Sequence, residues 1–153
     1  MTTVVSAIPA AIDALIATFT AAGVAVIDGE GASNSTYPAV VFVGISDPDG
    51  DGIEEAASSD QEWAWLGHVQ RDETLQIHCV AEAWTGDANP KAARDSAFAL
   101  VRTISDAITT DPSLGGSVLY VQAINGLTYK NLRDADGCRA DIPFTITCRA
   151  RLS

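Results

Sequence analysis

Basic charge is what this sequence most lacks. Nine lysines and arginines stand against twenty aspartates and glutamates, a net charge of −11. A protein that grips nucleic acid directly needs a basic face to neutralise phosphates, and no basic cluster is visible along the chain. An acidic surface instead repels DNA, which suits the wall of a channel that DNA passes through. Histidine is scarce as well, His68 and His78 being the only two. With no paired-cysteine spacing beside them, a zinc cluster lacks its donor set. The three cysteines, Cys79, Cys138 and Cys148, are odd in number, and Cys79 and Cys148 fall on apolar strand faces. They read as buried, reduced thiols of a cytosolic chain. Long apolar runs are missing too. Residues 4–27 are broken by Pro9, Asp13 and Gly23, and their larger apolar residues recur at helical spacing, so the reading is a soluble helix and not a membrane span. No basic segment precedes that stretch, so no secretory signal is expected.

Catalytic patterns are equally absent. There is no nucleophile elbow, no pair of histidines at zinc-protease spacing and no phosphate-binding loop. His68 has no serine or cysteine of a nucleophile motif nearby, and His78 lies in mid-strand on the more polar face. Paired carboxylates occur only inside a polar loop, where precise positioning is hard. The expectation is a protein that is not an enzyme and carries no cofactor.

What is present fits one domain spanning residues 1–153. A chain of 153 residues with 47% hydrophobic residues can bury one sizeable core. Many of the apolar residues are alanine, so helices should pack closely. Ser6 can cap a first helix whose stripe is Ile8, Ile12, Leu15, Ile16 and Phe19, with Ala22-Gly23 as its stop. A short strand from Val24 to Ile27 follows. After a polar loop, Pro38 opens the strand Ala39–Ile45, apolar on both faces and so central in its sheet. Residues 46–60 are a long polar loop, Gln61–Gly67 a short strand, and Thr74–Trp84 a clean alternation with Leu75, Ile77, Cys79, Ala81 and Ala83 on one face.

A second helix begins near Pro90 with Asn89 as cap. Its stripe is Ala93, Ala97, Leu100, Ile104 and Ile108, and Asp111-Pro112 ends it. At about 20 residues it would span roughly 30 Å, enough to cross a sheet. Ser117–Ile124 reads as a strand, Asn125-Gly126 as a hairpin turn, Leu127–Leu132 as the returning strand and Asp134–Gly137 as another turn. The last strand alternates most clearly, with Ala140, Ile142, Phe144, Ile146, Cys148, Ala150 and Leu152 inward. The fold class is therefore α+β: an antiparallel or mixed sheet with two helices on one face, in the order α-β-β-β-β-α-β-β-β.

Three constellations carry possible function. From Asp47 to Glu62 the chain holds seven acidic residues and no basic one, an acidic insertion that contains Glu54 and Glu55. Asp47, Asp49 and Asp51 before Gly52 match the start of a calcium loop, where alternate carboxylates converge on a hard cation. Ser58 stands where a bidentate glutamate is required, and a strand, not a helix, leads in. A solvated acidic hairpin tip is the simpler reading, with a calcium-binding module as the alternative from a different class. Trp63 and Trp65 share a strand face and serve either as core anchors or as interface anchors. Arg94, in the first turns of the second helix, lies on a solvated face or makes an ion pair between subunits.

The ordered set of segments resembles the tail terminator (tail completion) family of long-tailed, siphovirus-type bacteriophages. The residues that carry the resemblance are Tyr37-Pro38-Ala39-Val40-Val41, Trp65-Leu66-Gly67 and Arg71-Asp72-Glu73, then Ala93-Arg94-Asp95 with Ala97-Phe98. Asp111-Pro112-Ser113-Leu114-Gly115-Gly116 follows, and the chain closes with Pro143-Phe144 and Cys148-Arg149-Ala150-Arg151. The likeness covers essentially the whole length, and the turn from Asp111 to Gly116 is its sharpest element. It implies a structural virion protein, assembled in the host cytoplasm and placed at the head–tail junction. Such a protein forms a ring, typically a homohexamer, that caps the completed tail tube, stops its polymerisation and joins it to the head connector. The implied partners are further copies of the chain, the tail tube protein and the connector or stopper protein. DNA would pass through without sequence-specific binding, and no membrane is involved. Another neck or tail-tube component of the same class is the nearest alternative. On this reading Trp63, Trp65, Arg94, Leu114, Gly115 and Gly116 are candidate contacts between subunits. Asp47, Asp49, Asp51, Glu54 and Glu55 form a candidate acidic loop toward the lumen or a neighbouring ring.

Overall fold

A computed structural model describes residues 4–29, 37–46, 53–64, 67, 70–87, 89–134 and 137–153. Its elements are α1 (Ile8–Ala21), β1 (Val26–Asp28), β2 (Ala39–Val43), β3 (Ala57–Trp63), β4 (Arg71–Thr85), α2 (Pro90–Thr110), β5 (Tyr120–Asn125), β6 (Lys130–Asp134) and β7 (Gly137–Leu152). The mixed α+β class is as expected: the seven strands form one sheet, antiparallel except where β1 runs parallel to β2. No helix among the described residues is long and apolar enough to cross a membrane.

The sheet is built on two long rails. β4 and β7 pair antiparallel from Arg71↔Leu152 to Thr85↔Cys138 without a break. Strict alternation explains the length. Leu75, Ile77, Cys79, Ala81 and Ala83 of β4 share one face with Ala140, Ile142, Phe144, Ile146 and Cys148 of β7, and all are buried in a single cluster. That cluster also takes Leu15 and Phe19 of α1 and Ala93, Ala97, Ile104 and Ile108 of α2, so both helices lie on this face. Burying a side chain such as Leu15 or Phe19 is worth about 1.5–3 kcal/mol. β2 is apolar on both faces, as its sequence suggested. Val41 and Val43 join the main core, while Val40 and Phe42 pack with Ile45 and Val80 in a second cluster on the opposite face.

Each rail has a second long edge made of two strands in line. β2 pairs with Ala83–Cys79 of β4 and β3 with Ile77–Arg71, both antiparallel, so β2 and β3 run the same way along one edge. β5 and β6 repeat the device on β7, against Arg149–Thr145 and Asp141–Gly137. Two expectations change here. Asn125-Gly126 is not a hairpin turn, because β5 and β6 are collinear and do not pair with each other. The acidic segment is not a hairpin tip either, because the strands on its two sides are also collinear. Part of the expected polar loop, Ala57 to Asp60, belongs to β3.

The breaks have local causes. At the first, Gly44 at φ +91 turns the chain off the edge. The excursion closes on one residue: His78 O accepts from Gly44 N–H at 2.7 Å and Ile45 N–H at 3.2 Å, and His78 N–H donates to Ala56 O at 3.1 Å. At the second, Pro143 lacks the N–H that the ladder needs on that side, though its carbonyl still accepts from Thr128 at 3.1 Å.

Helix starts combine local and distant capping. Asn89 caps α2 as expected, its side chain accepting from Ala92 N–H at 3.4 Å. At α1 the cap position is Ala7, one residue past the expected Ser6. Ser6 Oγ accepts from Ile8 N–H at 3.0 Å and donates to Glu73 Oε2 at 2.6 Å. Glu73 Oε1 accepts from Ala7 N–H at 2.7 Å, and Gln61 Nε2 donates to Oε2 at 2.9 Å. A fully buried carboxylate of β4 thus completes the helix N-terminus, where donors are unsatisfied and negative charge is favoured. Burial alone would raise the Glu73 pKa, but the bonds from Ala7, Ser6, Gln61 and Ser59 outweigh it and hold the value below the ordinary 4.5.

Candidate assembly surface

The turn after α2 is built from its own residues. Asp111 accepts from Ser113 Oγ at 2.9 Å and from Gly115 N–H at 2.7 Å, and Ser113 Oγ accepts from Gly116 N–H at 3.2 Å. These bonds, Ser113 first, lower the Asp111 pKa. Three successive residues take left-handed backbone: Leu114 (φ 51), Gly115 (φ 68) and Gly116 (φ 87). Glycine adopts this freely, whereas leucine is penalised by about 1–2 kcal/mol. Leu114 is only 2% exposed, and its burial, worth about 1.5–3 kcal/mol, offsets that penalty. Leu114 is therefore a core residue and not a surface contact. Of this part of the candidate interface only Gly115 and Gly116 reach the exterior.

Trp63 stands at the end of β3, 66% exposed, so it is not a core anchor within the subunit. Trp65, and Asp47, Asp49 and Asp51 of the calcium reading, lie outside the described residues, as does His68. Glu54 and Glu55 are described and sit at the base of the acidic excursion. Glu54 Oε2 accepts from Ser46 N–H at 3.1 Å, and Glu55 Oε2 lies 3.5 Å from His78 Nε2. Among the described residues no group of three or more histidine, cysteine or acidic side chains could hold a metal ion.

Over the Arg71–His78 half of β4, the face away from the helices is a ladder of cross-strand polar pairs with β7. Arg151 holds Asp72 through two bonds at 2.7 and 3.2 Å, Arg149 donates to Thr74 at 2.5 Å, and His78 Nδ1 lies 3.0 Å from Thr145 Oγ1. The Arg151 guanidinium is the main cause that lowers the Asp72 pKa. These side chains satisfy one another across the strand pair. The thiols are sealed away: burial pushes Cys79 up to about 12 and Cys148 up to about 11, which leaves almost no thiolate at neutral pH.

Large apolar side chains stand exposed on both lateral edges of the sheet. Ile53 and Trp63 flank the β3 edge, and Tyr120, Leu127, Tyr129 and Leu132 follow the β5–β6 edge. On α2, exposed Phe98 meets Tyr129 with ring centroids 6.0 Å apart. Arg94 is exposed one turn before Phe98 and Arg102 one turn after, so the three share a stripe. Sequence periodicity left Phe98 off the core stripe of α2. Its exposure and its contact with Tyr129 arise from tertiary packing, and so does the alignment of Leu127, Tyr129 and Leu132 along one edge. No protein-family model matches the chain, and no curated protein matches it.

Proposed function

We propose that the protein is a structural subunit of the tail-terminator type: copies join head to tail into a ring that caps a completed phage tail tube. The observation that carries this reading is the pair of exposed apolar edges on opposite sides of one sheet. A single such patch favours a two-fold dimer. Two different patches on opposite sides favour a heterologous contact, and heterologous contacts close into rings when the rotation between copies closes. Exposed tryptophan, tyrosine and phenylalanine are the residue types that anchor such contacts. The resemblance of the ordered segments to tail terminators supplies the tube end as the ring's place, and with it the tube protein and the head connector as partners. A role in assembly, not catalysis, fits a polar face whose side chains are engaged with each other. Under this proposal the acidic excursion, Glu54 and Glu55 included, repels DNA passing through the lumen or meets an adjacent ring.

Native mass spectrometry with negative-stain microscopy of the purified protein tests the ring. A closed assembly of fixed copy number, six on the family expectation, is the predicted result. A two-fold dimer that excludes further copies, or open filaments without closure, would contradict it. Added to polymerising tube subunits, the ring should stop growth at one end, whereas another tube component would be incorporated repeatedly.

A further inference from the structure

The two halves of the sheet are equally wide but offset by one strand. Toward Thr85 and Cys138, the row Ile27–Phe42–Val80–Pro143 crosses β1, β2, β4 and β7. Thr128 adds a fifth member, its N–H donating to Pro143 O at 3.1 Å. Toward Arg71 and Leu152, the row Ser59–Leu75–Cys148–Val121 crosses β3, β4, β7 and β5. Pro112 is the fifth member here, accepting from Val121 N–H at 2.7 Å. It lies outside β5, because bonding direction alternates along a strand. Arg149 O accepts from Leu119 N–H, so Cys148 turns to β4, and Val121 opposite it turns outward. One half therefore begins at β1, a strand beyond β3. The other ends on the turn Pro112–Gly116, a segment beyond β5.

This outline has a ledge on one side and a recess one strand wide, about 4.8 Å, on the other. Both lie at the same height, since Ser59 and Pro112 end a single row. The recess offers open backbone. Ala56 O accepts from His78 N–H, so alternation turns Ala57, Ser59 and Gln61 outward, and no described strand pairs with β3 on that side. The ledge offers bare backbone in return: Gly115 and Gly116 are exposed, and a Cβ on either would meet nothing within 4 Å. Exposed apolar side chains border both, Val5 and Trp63 at the recess and Leu119 at the ledge. Copies placed side by side by rotation about an axis along the strands bring ledge to recess with little axial shift. The same placement brings β1 to the Thr128 side of the neighbour, again level, since Ile27 and Thr128 also end a single row. A two-fold pairing would instead set recess against recess and leave both unfilled.

We infer that the Pro112–Gly116 turn of one copy seats beside β3 of the next, beneath its β1 strand. This rests on the ring reading and names its contact. The offset outline selects the heterologous pairing, and the glycines let the two backbones approach closely.

Thiol cross-linking tests it. The three native cysteines are buried, so a short bismaleimide reaches introduced ones first. One variant carries Asp60→Cys and Pro112→Cys, both exposed positions level with the contact. A control carries Asp60→Cys and Leu132→Cys. Leu132 is level with Trp84 and Asp60 with Thr74, ten residues apart along β4, or roughly 33 Å. The first variant should give a ladder of cross-linked oligomers on a denaturing gel, and the control should give none. A third variant, Gly115→Asn with Gly116→Asn, adds bulk to the ledge with a residue that tolerates left-handed backbone. Circular dichroism checks that all three fold. By sedimentation velocity the third should associate at least ~10-fold more weakly than the original chain, since its side chains hold the backbones apart. A closed assembly without the Asp60–Pro112 ladder would overturn the contact while leaving the ring intact. So would equal cross-linking in the control, or an asparagine variant that assembles like the original chain. An original chain that stays monomeric at every concentration, or stops at a two-fold dimer, would overturn both the contact and the ring.

Discussion

Replacing Glu73 should unpin the first helix. Its carboxylate is fully buried and accepts from Ala7 N–H, Ser6 Oγ and Gln61 Nε2 at 2.6–2.9 Å. Each hydrogen bond to a charged group is worth about 1.5–3 kcal/mol net, but desolvating a carboxylate costs several kcal/mol. Glu73→Ala removes the acceptor, opens space and leaves the buried Ala7 N–H without its partner. The balance is a loss of about 3 kcal/mol, or roughly 6–12 °C in Tm at 2–4 °C per kcal/mol for a chain of this size. Glu73→Gln keeps the shape and one acceptor but turns an amide N–H₂ toward other donors, for a loss of about 1.5 kcal/mol. The pH dependence isolates the charge. The folded-state pKa lies below 4.5, so the folded protein binds its proton less readily than the unfolded chain does. The stabilisation is therefore complete above about pH 4.5 and is lost as pH falls through the folded value. Thermal melts of the original chain and Glu73→Gln between pH 3 and 7 should differ most at neutral pH and converge in acid. A Glu73→Ala melt within 2 °C of the original, or a gap to Glu73→Gln that does not narrow in acid, would refute the reasoning.

Other changes test the frame around the surface. Gly137→Ala should destabilise severely, by about 3 kcal/mol or more, because a Cβ there would meet Thr85 O head-on from a backbone at φ +144; loss of soluble folded protein or a large Tm drop checks it. Leu114→Ala should cost about 2–3 kcal/mol in denaturant unfolding, since Leu114 is buried and alanine keeps the left-handed penalty without filling the core. Ellman's reagent should find Cys79, Cys138 and Cys148 unreactive in the native protein and all three reactive on unfolding, because all are buried. Titration with millimolar calcium should give no binding heat, as the loop has serine at Ser58 where a bidentate acid is required; a saturable heat would revive the calcium module.

Much of the fold was legible in local pattern. The rails β4 and β7 and the helix α2 announce themselves because their alternation or stripe is long and unbroken, and Asn89, Pro90 and the Asp111–Gly116 turn mark the ends of α2. The sheet edges were not legible. Asn125-Gly126 has the chemistry of a hairpin, but a turn signal shows where a strand breaks and not whether the chain reverses. Pro143, on the neighbouring strand, decides the break, and that pairing spans distant sequence. Glu73 did carry a signal: it shares its face with Leu75 and Ile77, so a charge on the core side at a strand start pointed to a buried partner. The partner's identity, Ser6 and Ala7 more than sixty residues away, depends on tertiary placement. The surface shows the same division. Trp63 and Arg94 were marked as candidate contacts and stand exposed, while Leu114 was drawn inward by a backbone conformation that no residue pattern signals.

The proposal that the chain caps a phage tail tube is tested most directly by cryo-electron microscopy of phage particles assembled in cells that make the chain with a small fused tag. One ring at the junction between tail tube and head connector is the predicted result. Copies stacked along the tail, or absent from that junction, would contradict it.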